Sequence, residues 1–159
     1  MKMPRLVYPR ERPKIIIPKG FMMIQDTREQ RPLFKPDIYI KEYGLKVGDY
    51  SIEGMEDKIT IERKSIPDLF GSLGKGRKNF EKRIAKMKDM YWSAIMIEGC
   101  EDEVMKKQDY SSMNVNAIYH TLSSYEVDGV HIYFAKRKRD AQDWVLTRLT
   151  RFFTHIGRD

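Results

Sequence analysis

Asp49, Glu62 and Lys64 are the side chains in this sequence whose types and spacing could do chemistry. All three fall in one stretch, VGDYSIEGMEDKITIERKSIPD at 47–68. Residues 49–53 and 59–64 each read as a strand. GMEDK between them, with Gly54, reads as the turn of a hairpin. A register symmetric about Met55–Glu56 sets Asp49 opposite Glu62, Tyr50 opposite Ile61, Ser51 opposite Thr60, Ile52 opposite Ile59 and Glu53 opposite Lys58. Alternation then gives an apolar face of Tyr50, Ile52, Ile59 and Ile61. The other face carries Asp49, Ser51, Thr60, Glu62 and Lys64. Directly opposed carboxylates destabilise a sheet, so a compensating positive charge is required. Lys64 is one source. A divalent cation is another, because hard ions such as magnesium take carboxylate oxygens. Two acids holding such an ion beside a lysine could activate water and stabilise charge on a phosphate in transfer. The same spacing also fits a half-exposed hairpin with a surface salt-bridge cluster.

The elements that must position this hairpin follow from the rest of the chain. Its 159 residues fit one domain with an ordinary core. Phe21 to Gln25 reads as a buried strand ending in Asp26, Arg28 and Glu29. Arg31 to Lys46, broken by Pro32, Pro36 and Gly44, is left open, with Ile38 and Ile40 strand-like. Ser65 suits a helix N-cap and Pro67 its first turn, where Asp68 would be favoured by the helix dipole. Gly71, Gly74 and Gly76 would end that piece in a loop. Phe80, Ile84, Met87 and Tyr91 recur at helical spacing and predict a helix over 78–91. Lys78, Lys82, Arg83 and Lys86 lie on its other faces. Ala94 to Ile97 reads as a central strand, 100–111 as loop, 113–126 as a helix and Val130 to Phe134 as a strand. Asp140 with Asp143 approximates a capping box for a last helix lined by Ala141, Val145, Leu149 and Phe152, with Trp144 and Phe153 on its flanks. The order implies a mixed sheet flanked by helices, an α/β fold.

Composition narrows the function classes. The formal net charge of +7 favours polyanionic partners. Basic residues crowd 75–88 and 136–139. No run of about 18 apolar residues exists, so no membrane span is indicated, and no signal peptide is visible. The single cysteine, Cys100, allows no internal disulfide and suits a reducing, intracellular setting, cytoplasmic, nucleoid or nuclear. Residues 1–19, basic and rich in proline, read as an arm, either along DNA or as a loose leader. Ile15 to Ile17 could form an edge strand. His120, His131 and His155 have no metal-like spacing.

GDY at 48–50, IERKS at 61–65 and PDL at 67–69 closely resemble the GD…ERK…D signature of the XPF-type (ERCC4-domain) structure-selective nucleases. IQDTREQRPL at 24–33 is similar to the D-x-R-E segment that precedes it in that family. GSLGKGRKNFEKRI at 71–84 resembles the family's next helix with an arginine just before it. The resemblance covers about residues 20–155. It implies a restriction-endonuclease-like fold over 20–157 and cleavage of DNA with Mg2+ or Mn2+. Asp49 and Glu62 would hold the metal, with Asp26 and the backbone carbonyl of Arg63 as further ligands. Lys64 would position the attacking water and stabilise the phosphate, and Arg63, of opposite parity, would brace the site from beneath. Asp68 is either a catalytic-site acid or a helix-start acid. Arg28, Arg77, Lys78, Lys82, Arg83 and Lys86 would contact DNA. Where eukaryotic members often have glutamine four residues after the arginine, this chain has Glu81, which puts a substrate role there in doubt.

The resemblance further implies a homodimer; the off-stripe Trp144, Phe153, Met113 and Tyr119 could form its interface or be buried in the core of one domain. Family members usually carry a tandem helix-hairpin-helix domain after the nuclease, whereas this sequence stops at Asp159. Selectivity for branched, flap or fork DNA is therefore expected from a dimer, the basic arm or a separate DNA-binding subunit. Two rivals stand beside an endonuclease of repair, recombination or replication. One is a non-catalytic nucleic-acid-binding scaffold of the same fold. The other is an RNA-binding module, supported only by charge.

Overall fold

The structure, a computed structural model, describes residues 11–156. Residues 1–10 of the expected arm and residue 157 of the expected domain lie outside them. In chain order the elements are β1 (Met23–Gln25), β2 (Ile40–Glu42), β3 (Tyr50–Ile52), β4 (Ile59–Ser65), α1 (Ile66–Leu73), α2 (Arg77–Lys88), β5 (Trp92–Glu98), α3 (Glu101–Val104), α4 (Val115–Val127), β6 (Val130–Ala135) and α5 (Lys138–His155).

The strands form one six-stranded sheet in the order β2-β1-β3-β4-β5-β6. β3 and β4 pair antiparallel with Tyr50 opposite Ile61, the register expected from the sequence. β3 also runs antiparallel to β1, where Gln25 faces Tyr50. β4, β5 and β6 run parallel. Parallel neighbours need long crossovers, and α1–α2 and α3–α4 supply them. β5, covered on both faces, accordingly reads as a nearly continuous apolar run.

The two faces carry separate cores. Tyr50, Ile52, Ile59, Ile61, Ala94 and Met96 pack against Ala141, Val145, Leu149 and Phe152 of α5. Ile95, Ile97 and Val130 pack on the opposite face against Leu69 and Leu73 of α1, Phe80, Ile84 and Met87 of α2, and Ile118 and Leu122 of α4. Burying an isoleucine stabilises by about 1.5–3 kcal/mol. A one-residue slip of β4 would turn Ile59 and Ile61 off their face, so the core sets the hairpin register.

Several local expectations are corrected. Helix α2 ends at Lys88, leaving Tyr91 outside it and 71% exposed, with its ring edge against Phe152. Gly71 lies inside α1. Part of 100–111 forms the one-turn helix α3. The open segment contributes β2, parallel to β1. Glu53 forms a 2.8 Å ion pair with Lys41 of β2. The N-cap of α5 is Arg137. Asp140 is ion-paired to Arg137, and Asp143 takes a two-pronged bond from Arg12, so no capping box forms. Ile15 and Ile17 pack on the α5-side core without forming a strand. Trp144 is 7% exposed, stacked on Tyr133, and Phe153 packs edge-on against Phe21; neither is the free anchor expected on the flanks of α5.

Candidate active site

Position 48 decides where Asp49 sits. Gly48 has φ +79°, and a Cβ there would lie 1.9 Å from Thr60 Oγ1. Only glycine lets the chain close over Thr60, whose hydroxyl donates to the Val47 carbonyl at 2.8 Å. The Asp49 N–H then donates to the Ile61 carbonyl at 2.9 Å. The Arg63 N–H in turn donates to Asp49 Oδ2 at 2.7 Å. The carboxylate is thus fixed by backbone on β4, one residue from Glu62.

Glu62 is 3% exposed on the α2 side of the sheet. Its Oε1 is 3.2 Å from Lys64 Nζ and 3.2 Å from Arg83 Nη1. The Phe80 ring carries both cations, with Lys64 Nζ and the Arg83 guanidinium carbon each 5.2 Å from its centroid. Lys64 is the compensating charge expected from the sequence, and Arg83 is a second. Arg83 follows the buried Phe80 by three residues. That spacing places it at the edge of the core stripe, beside the buried face of α2, but does not name Glu62 as its partner.

Asp26 lies beside Asp49 on the neighbouring strand, its N–H donating to the Asp49 carbonyl at 2.8 Å. Its carboxylate accepts from Arg28 Nε at 2.8 Å, Nη2 at 2.9 Å and backbone N–H at 2.8 Å, and from the Leu45 N–H at 2.7 Å. Burial works to raise its pKa, but the Arg28 guanidinium and these N–H groups outweigh it and hold the pKa below the ordinary carboxylate range. Among the described residues no group of three acid, histidine or cysteine side chains could chelate an ion. Asp26, Asp49 and Glu62 are not such a group, and Asp26 is engaged by Arg28 and Leu45. Arg28, whose guanidinium also donates to the Leu45 carbonyl at 2.7 Å, braces that loop.

Asp49 is in the opposite state. Burial and the facing Glu62 push its pKa up to about 8 against the Arg63 N–H, and it forms no ion pair among the described residues. A cation at the pair would reverse that shift. This donor set of two adjoining carboxylates, one without a cationic partner, fits a hard divalent ion.

The Arg63 side chain turns to the α5 side. It donates to Glu98 at 2.8 and 3.1 Å, to Glu29 Oε2 at 2.8 Å and to the Arg31 carbonyl at 2.6 Å. Tyr50 Oη adds a 3.2 Å bond to Glu29. Asp68 sits exposed in the first turn of α1, its N–H donating to the N-cap Ser65 Oγ at 3.2 Å. Arg77 is not brought to the carboxylates. It faces α4, 3.3 Å from Thr121 Oγ1 and 3.6 Å from Glu81, which also accepts from Tyr125 Oη at 2.7 Å. Lys78, Lys82 and Lys86 are exposed on α2 and form no ion pair among the described residues.

Comparisons with known proteins agree with this architecture. The ERCC4 domain profile matches residues 24–147. A solved structure titled XPF from Aeropyrum pernix superposes with TM-score 0.62 at 20% identity, covering 85% of this chain and 66% of that one. A second, of XPF from the same organism in complex with DNA, gives TM-score 0.62 at 20% identity and covers 84% and 65%. The chain thus spans about two thirds of the length of those proteins. A search of curated proteins gives no match. No helix among the described residues is long and apolar enough to cross a membrane.

Proposed function

Since the chain belongs to the ERCC4-domain family, we propose that it is a metal-dependent endodeoxyribonuclease hydrolysing phosphodiester bonds in branched, flap or fork DNA. The observation that carries this reading is the juxtaposition of Asp49 and Glu62 on neighbouring strands with Lys64 on the same face. Asp49 and Glu62 would hold Mg2+ or Mn2+, with the Arg63 carbonyl as a further oxygen. The bound ion would supply Lewis-acid stabilisation of charge on phosphate. Lys64, 11% exposed, presents a fixed ammonium to the scissile phosphate and its attacking water. Asp26 serves the site by holding Arg28 and the loop at Leu45. The exposed lysines of α2 contact phosphates and set affinity without reading sequence. One relative's structure contains DNA, in keeping with that substrate.

A homodimer is part of the proposal. With Trp144 buried, the α4 side remains as its surface, where Tyr119 and Val127 are 44% and 87% exposed. Light scattering tests it: a mass fixed at the protomer's 18.9 kDa would leave a partner subunit or a monomer. The function itself is tested by a cleavage panel of single strands, duplexes, flaps, forks and four-way junctions with Mg2+ or Mn2+. Metal-dependent cutting of branched substrates is expected, and Glu62→Gln should abolish it. DNA binding without cutting under any metal would favour the scaffold reading.

A further inference from the structure

Glu62 Oε1 receives two cations, and they are not equivalent. Lys64 is on the same strand and 11% exposed, whereas Arg83 reaches in from α2 with its side chain 42% exposed. Both rest on Phe80, so Arg83 has an apolar surface to slide along as well as an acid to bind. Arg83 donates to Glu62 through Nη1 alone, at 3.2 Å. That leaves the rest of its guanidinium fork free for a second acceptor. Asp49, the other acid of the pair, has no such partner among the described residues.

We infer that Arg83 is an exchangeable counter-ion of Glu62: a divalent cation displaces it from the carboxylate, and the released guanidinium then binds a DNA phosphate. This rests on the nuclease reading and adds a coupling to it. An arginine beside the acid repels an incoming cation, so Arg83 weakens metal binding to the DNA-free protein. Once displaced it lies one helical turn from Lys82 and Lys86 or less, on the basic side of α2, where it adds a phosphate contact. Metal and DNA should therefore strengthen each other's binding, and that mutual gain should depend on Arg83.

The experiment measures Mn2+ binding to the full chain by isothermal titration without DNA. A second arm measures binding of a fluorescein-labelled forked duplex with and without Ca2+. Unfolding midpoints are recorded in parallel. Arg83→Gln should bind Mn2+ up to about fivefold more tightly than the parent, the range set by removing one part-exposed charge contact. It should also lose most of the Ca2+-dependent gain in DNA affinity. Arg83→Lys, which keeps the charge but loses the planar fork, should fall between the parent and Arg83→Gln on both readouts. Equal or weaker Mn2+ binding by Arg83→Gln, with a parent that binds Mn2+, would overturn the exchange and leave the nuclease reading standing. A parent that binds no Mn2+ at all would overturn both.

Discussion

The Arg63 N–H donates to Asp49 Oδ2 at 2.7 Å while the Arg63 side chain, on the far side of the sheet, is locked by Glu29 and Glu98. One residue thus holds the acid by its backbone and the α5-side layer by its guanidinium. Arg63→Ala would leave Glu29 and Glu98 without their shared cation. A loss of about 2–4 kcal/mol is expected, because one partner of a charge-assisted network is removed. Urea unfolding measures it, and a change under about 0.5 kcal/mol, typical of an ordinary surface site, would refute the bracing role.

The site assignment predicts activity. Asp49→Asn, Glu62→Gln and Lys64→Ala should each lower metal-dependent cleavage at least about a hundredfold, as expected for charges aimed at the transition state. Circular dichroism should stay unchanged and forked DNA should still bind. Cutting by Glu62→Gln at the parent rate in Mg2+ would remove Glu62 from the site.

The raised Asp49 pKa of about 8 makes a prediction for protein kept in a chelator. An unfolded aspartate titrates near about 3.9. Between those values the folded state binds the extra proton, so this contribution is fully present below the lower value and lost as pH rises toward the upper one. The urea midpoint of the metal-free protein should therefore fall from pH 5 to pH 8. Asp49→Asn should flatten that fall and unfold later than the parent at pH 8. Added Mg2+ should raise the parent's midpoint at pH 8 but hardly move the variant's. Parallel pH curves for both proteins would contradict the assignment.

Gly48→Ala tests the close approach at Thr60. A Cβ 1.9 Å from Thr60 Oγ1 at φ +79° can be accommodated only by moving the chain that carries Asp49. A loss of about 2–4 kcal/mol is expected from clash and backbone strain together. Gly54→Ala, at a similar φ of +84° but with open space around it, is the control and should cost less.

Phosphate contact by α2 has a salt signature. Replacing Lys78 and Lys82 by alanine should weaken binding of all DNA sequences alike and reduce the log–log salt slope by roughly 0.9 per lost duplex contact. An unchanged slope would make this face merely solvated. Arg77→Ala, whose guanidinium faces Thr121 and Glu81, should leave the slope nearly as it is.

The hairpin was legible because period-two alternation and a short turn both speak locally. Ile59 and Ile61 can satisfy their core in one register, and that register brings Asp49 beside Glu62. What could not be read was whatever arrives from far along the chain. Arg83 meets Glu62 across 21 residues, Arg63 meets Glu98 across 35, and Arg12 meets Asp143 across 131. Spacing carries no information about such partners. The same limit misplaced Trp144: its helical position marks it as off the main stripe, but Tyr133 of β6 covers it. For Asp26 the sequence likewise does not show that Arg28, two residues on, bonds both of its oxygens.

Glu62, Arg63 and Lys64 point alternately to the two layers of the sheet, and that alternation sets how the gene can change in length. An inserted or deleted codon within 59–64 would send the acid to the α5 side and the arginine to the α2 side, exchanging the two sets of partners at a stroke. The tip of the hairpin is different. The alignment of β3 with β4 is held by Gly48 against Thr60 and by the Asp49–Ile61 and Asp49–Arg63 bonds at the far end. At the tip the Glu53 N–H donates to the Met22 carbonyl, the Lys58 carbonyl accepts from the Trp92 N–H and Met55 packs on the core, which leaves Glu56 and Asp57 as the place where length can change. Length variation among relatives should therefore gather at 56–57 and be absent from 59–64. A peptide tag threaded into the tip should leave the acids where they are.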